Sequence, residues 1–147
     1  IRCREYGHRA RDGRVIGIPR LVRMDYEASG GREVFLSFED ENETLFGLLR
    51  MRVQSEPVAG LREKTGGKLA LIRELHVYGS EVPLTEQKED SAQHKGLGKA
   101  LLVEAERIAR DEFKTRCLAI LSGVGAKEYY RSEFGYNSRG EYMVKAW

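Results

Sequence analysis

Alternation of apolar and polar positions sets in at Arg20. Leu21-Val22-Arg23-Met24-Asp25-Tyr26 reads as a strand, Ser29-Gly30-Gly31 as a turn, and Glu33-Val34-Phe35-Leu36-Ser37-Phe38 as the returning strand. An acidic turn from Glu39 to Glu43 leads into a third strand, Thr44 to Val53, so this region predicts an antiparallel meander. Residues 54–67 carry Pro57, Gly60, Gly66 and Gly67 and read as a loop. Lys68 to Tyr78 is the most strand-like segment. Leu69, Leu71, Leu75 and Val77 fall on one face, and Ile72, Glu74, His76 and Tyr78 on the other. The polar stretch 80–92, with Pro83, predicts a long loop.

The period then changes. From Gly98 to Phe113 the spacing is helical, with Leu97, Leu101, Ala105, Ile108 and Ala109 on one stripe and Glu104, Glu106, Arg107, Arg110 and Asp111 mainly off it. Arg116 to Leu121 predicts a short buried strand. Ser122-Gly123-Val124-Gly125 turns into a short helix from Ala126 to Arg131, and Tyr136 and Tyr142-Met143-Val144 predict one or two closing strands. This order predicts an α+β domain with a mixed, mostly antiparallel twisted sheet flanked by helices. The one β-α-β crossover makes Lys68–Tyr78 and Arg116–Leu121 parallel neighbours.

Length and composition narrow the function. The 147 residues suit one domain, 33% are charged, and no stretch approaches the roughly 18 apolar residues of a membrane span, so no membrane partner is expected. Two cysteines, Cys3 and Cys117, build neither a disulfide framework nor a four-thiolate metal site. A reducing cytoplasmic compartment and no bound metal are the expectations. Cys3 and His8 read as a buried thiol and a surface imidazole, or as parts of a metal site shared with a further domain. The chain starts at Ile1 and its first methionine is Met24, as in a piece of a longer protein. The net charge of +2 hides an asymmetry: residues 1–23 hold seven arginines against Glu5 and Asp12. An arm carrying Arg2, Arg4, Arg9 and Arg11 suits contact with a nucleic-acid backbone, and equally a solvated or interdomain surface. Residues 1–19 are expected to be a basic connector and residues 20–147 the domain proper.

Gln93-His94-Lys95-Gly96-Leu97-Gly98 lies where a strand gives way to the long helix. Unpaired first-turn amides and the helix dipole favour an anion there, glycines let it approach the backbone, and Lys95 and Lys99 add positive charge. A Walker A loop would need Gly at position 93 and Ser or Thr at 100, where Gln93 and Ala100 stand. A dinucleotide fingerprint would need glycine in place of Leu101. What remains, Gln/Arg-x-x-Gly-x-Gly/Ala, resembles the pyrophosphate loop of the GCN5-related N-acetyltransferases. Glu74 and His76, read by themselves, also fit a solvent-facing strand. Lys127-Glu128-Tyr129-Tyr130-Arg131 offers phenols, whose pKa of about 10 makes proton transfer to a departing alkyl thiolate nearly thermoneutral. Tyrosines at this spacing equally serve as core or surface aromatics.

Together with Arg2-Cys3-Arg4-Glu5-Tyr6-Gly7-His8, Ile120-Leu121-Ser122-Gly123-Val124-Gly125 and Tyr142-Met143-Val144, these motifs resemble one family nearly end to end. It is the C-terminal acetyltransferase domain of the catalytic third subunit of Elongator and of its archaeal and bacterial stand-alone relatives. The resemblance implies the GCN5-related acetyltransferase fold and acetyl-CoA-dependent modification of C5 of the wobble uridine in tRNA. It implies coenzyme contacts from Glu74, Leu75, His76 and Val77, along a strand edge that splays from its neighbour. Gln93, His94, Lys95, Gly96, Leu97, Gly98, Lys99 and Ala100 would complete the coenzyme site, with Tyr130 facing the thioester, Tyr129 a weaker candidate and Glu74 near the acyl group.

The resemblance further implies tRNA as partner, other Elongator-type subunits, and a preceding radical S-adenosylmethionine domain with a four-iron cluster that this chain does not hold. Protein lysine acetylation is the alternative within the fold, and a non-catalytic tRNA-docking module the alternative outside catalysis. Two features depart from the pattern. One extra residue separates Tyr130 from Gly135, and the turn at Ser29–Gly31 leaves no room for the two helices that other members carry between their first strands.

Overall fold

The computed structural model describes residues 2–55, 58, 61, 67–79 and 96–147. Gln93, His94, Lys95, the expected loop at 80–92 and most of residues 56–66 lie outside the described residues. Seven strands form one sheet in the order β1-β2-β3-β4-β5-β7-β6. They are β1 (Arg20–Ala28), β2 (Gly31–Glu39), β3 (Leu45–Gln54), β4 (Leu69–Val77), β5 (Cys117–Leu121), β6 (Asn137–Arg139) and β7 (Tyr142–Ala146). The helices are α1 (Tyr6–Arg11), α2 (Leu97–Arg107) and α3 (Lys127–Phe134). The meander, the long strand and the order of later elements match the sequence expectation. So does the parallel pairing of β4 with β5, which runs from Leu69↔Cys117 to Ile72↔Ile120. β7 pairs antiparallel with both β5 and β6.

By contact density the chain divides into two compact units. One comprises Ile1–Met24, Phe35–Leu49 and Glu74–Val103, the other Asp25–Val34, Arg50–Arg73 and Glu104–Trp147. The first is built on buried apolar positions that include Leu36, Leu45, Phe46, Leu49, Leu101 and Leu102. The basic arm belongs to it and is folded, with a short 3₁₀ turn at Arg2–Arg4 followed by α1. Tyr6 is buried with its ring 5.4 Å from that of Phe46, and Glu5 bridges in parallel to Leu45. Little in the arm's composition announces this; one aromatic supplies its apolar contact. Cys3 is exposed, against the expectation of a buried thiol, because only Tyr6 of the two elements turns inward. Among the described residues no group of three metal-ligating side chains converges.

The turn after β2 is organised by Asp40. Its buried carboxylate accepts the amides of Gly17 at 2.9 Å, Asn42 at 3.0 Å and Thr44 at 2.8 Å. Burial works to raise its pKa, but these hydrogen bonds together outweigh burial and hold it below the usual carboxylate range.

In the second unit the hairpin between β1 and β2 closes through Ser29 and Gly30, both with positive φ, as a two-residue turn requires. Arg52 clamps it. Its guanidinium donates to the carbonyls of Ala28 and Ser29 and to the carboxylate of Glu33, each at 2.9 Å. Leu61, Leu69, Cys117, Ala119 and Val144 form an apolar cluster there. Burying each large aliphatic side chain contributes roughly 1.5–3 kcal/mol. α2 passes into a five-residue π-helical turn, Ile108–Glu112, and the buried Thr115 closes it by donating from both its amide and its hydroxyl to the Ala109 carbonyl. Glu106, expected off the buried stripe, is 8% exposed. It lies on the Leu102–Ala109 side of the helix, and its charge is met by Lys145.

Replacing Asp40 by Asn should lower stability at pH 7 by about 1–3 kcal/mol in urea unfolding, because three amides lose a charged acceptor. Asp40 has a depressed folded-state pKa, so its contribution is present above the unfolded value and lost as pH falls through the folded one. The gap between wild type and variant should therefore narrow below pH 4.

Candidate functional site

The end of β4 and the start of α2 lie in the same unit. Period-2 geometry puts Glu74, His76 and Tyr78 on one face, as the sequence predicts. Nε2 of His76 is 3.3 Å from Oε1 of Glu74, and the His76 and Tyr78 rings stack at 6.2 Å. Burial first, then the charges of Glu5 and Glu74, push the Tyr78 phenol up. On the β3 side, the Tyr78 amide donates to the Phe46 carbonyl at 2.8 Å. On the β5 side, the parallel register ends at Ile72↔Ile120 while β4 continues five residues to Val77. β4 thus outruns its parallel partner over the stretch holding Glu74, Leu75, His76 and Val77.

α2 begins beside that stretch. Among the described residues the main-chain bonding at its start begins with the Ala100 amide, which donates to the Gly96 carbonyl at 2.8 Å, and the amides of Leu97, Gly98 and Lys99 precede the first intrahelical acceptor. The two glycines do different jobs. Gly96 has φ +93°, a left-handed backbone that glycine adopts readily, and none of the described residues comes within 4 Å of where a Cβ would stand. Gly98 serves packing: a Cβ there would stand 3.3 Å from Cγ2 of Val77. At Gly98 the missing side chain also makes room for β4. Lys99 and Ala100 are exposed, and Leu97 and Gly98 half-buried.

Gly47, which the sequence did not single out, sits beneath the same stretch. A Cβ on it would meet the His76 carbonyl at 3.1 Å and Leu101 at 3.4 Å. A glycine inside an apolar strand is the signal that marks such a close approach.

Tyr129 and Tyr130 belong to the other unit, on α3. A left-handed Gly135 ends that helix. Tyr129 is exposed. Tyr130 is half-buried, its ring edge-on to Tyr129 at 5.5 Å and to Tyr136 at 6.1 Å. Burial, then Tyr129, raises the Tyr130 pKa, so the phenol stays protonated well into alkaline solution.

The four arginines divide. Arg4 bonds the Glu39 carboxylate and the Glu43 carbonyl; Arg9 bonds the Asn42 carbonyl and, at 3.1 Å, the Thr44 hydroxyl. Both pin the arm to the turn between β2 and β3. Arg2 and Arg11 are exposed and line a cleft of about 630 Å³ with Glu5, His8 and the Val77–Gly79 end of β4.

No family model matches the chain. It is 60% identical over 145 residues to the tRNA uridine(34) acetyltransferase of Dehalococcoides mccartyi, covering 99% of this chain and 31% of that protein. It is 47% identical over 151 residues to Elongator complex protein 3 of Mus musculus, covering 99% and 26%. The structure of archaeal Methanocaldococcus infernus Elp3 lacking residues 1–46 of its N-terminus superposes at TM-score 0.83 with 47% identity, over 100% of this chain and 35% of that one. A Pyrococcus furiosus structure described as a candidate acetyl transferase matches in fold at TM-score 0.56 and 24% identity, over 76% and 64%. The fold is the GCN5-related acetyltransferase fold. The chain spans 22% to 31% of the length of the curated relatives it matches and is homologous to them along nearly its whole length.

In ¹³C-tyrosine NMR titration the Tyr130 ring should ionise above pH 10. The folded state then retains a proton that the unfolded chain has lost, so stability falls as pH rises past 10. Tyr130→Phe should lessen that fall.

Proposed function

We propose that this chain is the acetyl-CoA-binding acetyltransferase domain of an Elongator-type tRNA-modifying enzyme, supplying acetyl groups for C5 modification of the wobble uridine. The observation that carries the reading is the end of β4, which extends past its β5 pairing to Val77 and lies against Gly98 in the first turn of α2. The main-chain amides and carbonyls of β4 beyond its β5 register suit the amides of a pantothenate arm. Helix amides ahead of the first intrahelical acceptor, beside the left-handed backbone of Gly96, suit a diphosphate. The donor set therefore fits coenzyme A, which when bound supplies an activated acetyl thioester.

In this reading Glu74, Leu75, His76 and Val77 align the coenzyme's amides, and Gly96, Leu97, Gly98, Lys99 and Ala100 hold its phosphates. Gln93, His94 and Lys95 are assigned to the same phosphate loop by resemblance alone. Tyr130, protonated at neutral pH as any phenol is and with its pKa raised further by burial, would donate its phenolic proton to the departing thiolate and regain one from water. Tyr129 is the secondary candidate, and Glu74 stands near the acyl group.

The further partners are proposals of the same reading: tRNA, a preceding radical S-adenosylmethionine domain and other Elongator-type subunits, in the cytoplasm. Residues 1–19 lead from that domain into 20–147. The described residues include no helix long and apolar enough to cross a membrane. A four-iron cluster does not fit this chain, whose cysteines are the exposed Cys3 and the buried Cys117, and no step is assigned to one. Lysine acetylation is disfavoured by the two-residue hairpin between β1 and β2, which stands where related enzymes wall an amine groove with helices.

Calorimetric titration with acetyl-CoA and desulfo-CoA tests the site. Gly96→Ala should weaken both about tenfold, because its φ strains an alanine. Tyr130→Phe should leave affinity within about twofold while thioester turnover falls roughly a hundredfold. Equal turnover would remove the donor role. For tRNA, Arg2→Ala with Arg11→Ala should lower affinity and flatten the salt dependence by about two phosphate contacts. Arg4→Ala or Arg9→Ala should show first as lost thermal stability.

A further inference from the structure

Behind Tyr130 lies a buried polar cluster for which the coenzyme reading has no use. Tyr136 is fully buried and donates its hydroxyl proton to Oε1 of Glu106 at 2.8 Å. Lys145 Nζ reaches both oxygens of that carboxylate, at 3.3 and 3.2 Å, and stands 5.7 Å from the centre of the Tyr136 ring. Desolvation takes back much of what such a pair gains, and apolar replacement of buried ionic clusters is often neutral or stabilising. Net stability is therefore a weak reason for a carboxylate here. Geometry is a stronger one, because each member removes freedom from the next.

Tyr136 is the end of that sequence of constraints, and it meets Tyr130 twice. Its amide donates to the Tyr130 carbonyl at 3.2 Å, just past the left-handed Gly135. Its ring packs edge-on to the Tyr130 ring at 6.1 Å and 67°, while Tyr129 closes on Tyr130 at 5.5 Å and 64°. The hydroxyl of Tyr136 is anchored away from water, so its ring offers Tyr130 a fixed wall. The ammonium of Lys145 offsets the carboxylate, so the wall carries no large uncompensated charge.

We propose that Glu106, Tyr136 and Lys145 are positioning residues that fix the orientation of the Tyr130 ring, Tyr136 acting directly and the other two through it. The inference deepens the assignment of Tyr130 as proton donor and rests on it for its catalytic consequence. A proton donor displaced by about an ångström can lose up to roughly a hundredfold in rate. The cluster holds Tyr130 by packing and one main-chain bond, and leaves the Tyr130 hydroxyl to the reaction.

The test follows the ¹³C resonance of the Tyr130 ring in this chain, identified by its loss in Tyr130→Phe. Tyr136→Phe keeps the packing ring and removes the anchor, and should shift, broaden or double that resonance. Glu106→Gln keeps an acceptor for the Tyr136 hydroxyl, and should leave the resonance near its wild-type position. A triple variant, Tyr136→Phe with Glu106→Leu and Lys145→Met, guards against a fold weakened by a half-broken cluster. It should retain the thermal midpoint yet still disturb the resonance. In thioester turnover, Tyr136→Phe should lower kcat roughly tenfold or more with KM for acetyl-CoA within about twofold. A Tyr130 resonance unchanged in both Tyr136→Phe and the triple variant overturns the proposal. Full turnover in Tyr130→Phe instead overturns the donor role and leaves the resonance result standing, so the two failures are told apart.

Discussion

Main-chain amides and carbonyls must find partners, and the candidate site depends on where the partner of β4 stops. β5 accompanies β4 only as far as Ile72↔Ile120, while β4 keeps its direction to Val77 and holds to β3 through the bond from Tyr78 to Phe46. Beyond Ile72 the printed support of β4 comes from its β3 side. The start of α2 is brought to the same strand end by one deleted side chain, at Gly98 against Val77. The strand end and the first turn of α2 therefore lie side by side in one compact unit.

The arginine-rich arm shows how charge alone misleads. Seven arginines near one terminus look like a polyanion contact. The fold spends Arg4 and Arg9 on holding α1 to the turn between β2 and β3, a turn that Asp40 already organises from within. Arg2 and Arg11 remain exposed beside the β4 end, and Arg14, Arg20 and Arg23 are exposed as well, so the cationic surface is narrower than the count implies by the two inward-bonded arginines. Arginine suits both uses, since its planar fork bonds carbonyls and carboxylates as readily as phosphates.

Tyr130 and Glu106 illustrate the part played by burial. A phenol on the surface has an ordinary acidity; half-buried against two aromatic rings, Tyr130 keeps its proton. A glutamate within a helical pattern looks like a solvated charge, yet Glu106 is enclosed because Lys145 and Tyr136 meet it there. Leu102, Glu106 and Ala109 share a helical side, so the periodicity contained the hint, though polarity argued the other way.

The sequence by itself determined the order and type of the elements from Arg20 onward, the parallel crossover from β4 to β5, and the shared face of Glu74 and His76. These follow from local periodicity, which the backbone obeys whatever surrounds it. It also determined the family resemblance, because the Glu74–Gly79, Gln93–Gly98 and Ser122–Arg131 motifs are contiguous in the chain. Only the tertiary structure decided that a side chain at Gly98 would crowd Val77, that Arg4 and Arg9 are internal fastenings, and that Glu106 is buried. Each of those outcomes depends on a partner distant in sequence, such as Val77, Glu39 or Lys145, and periodicity carries no record of distant partners.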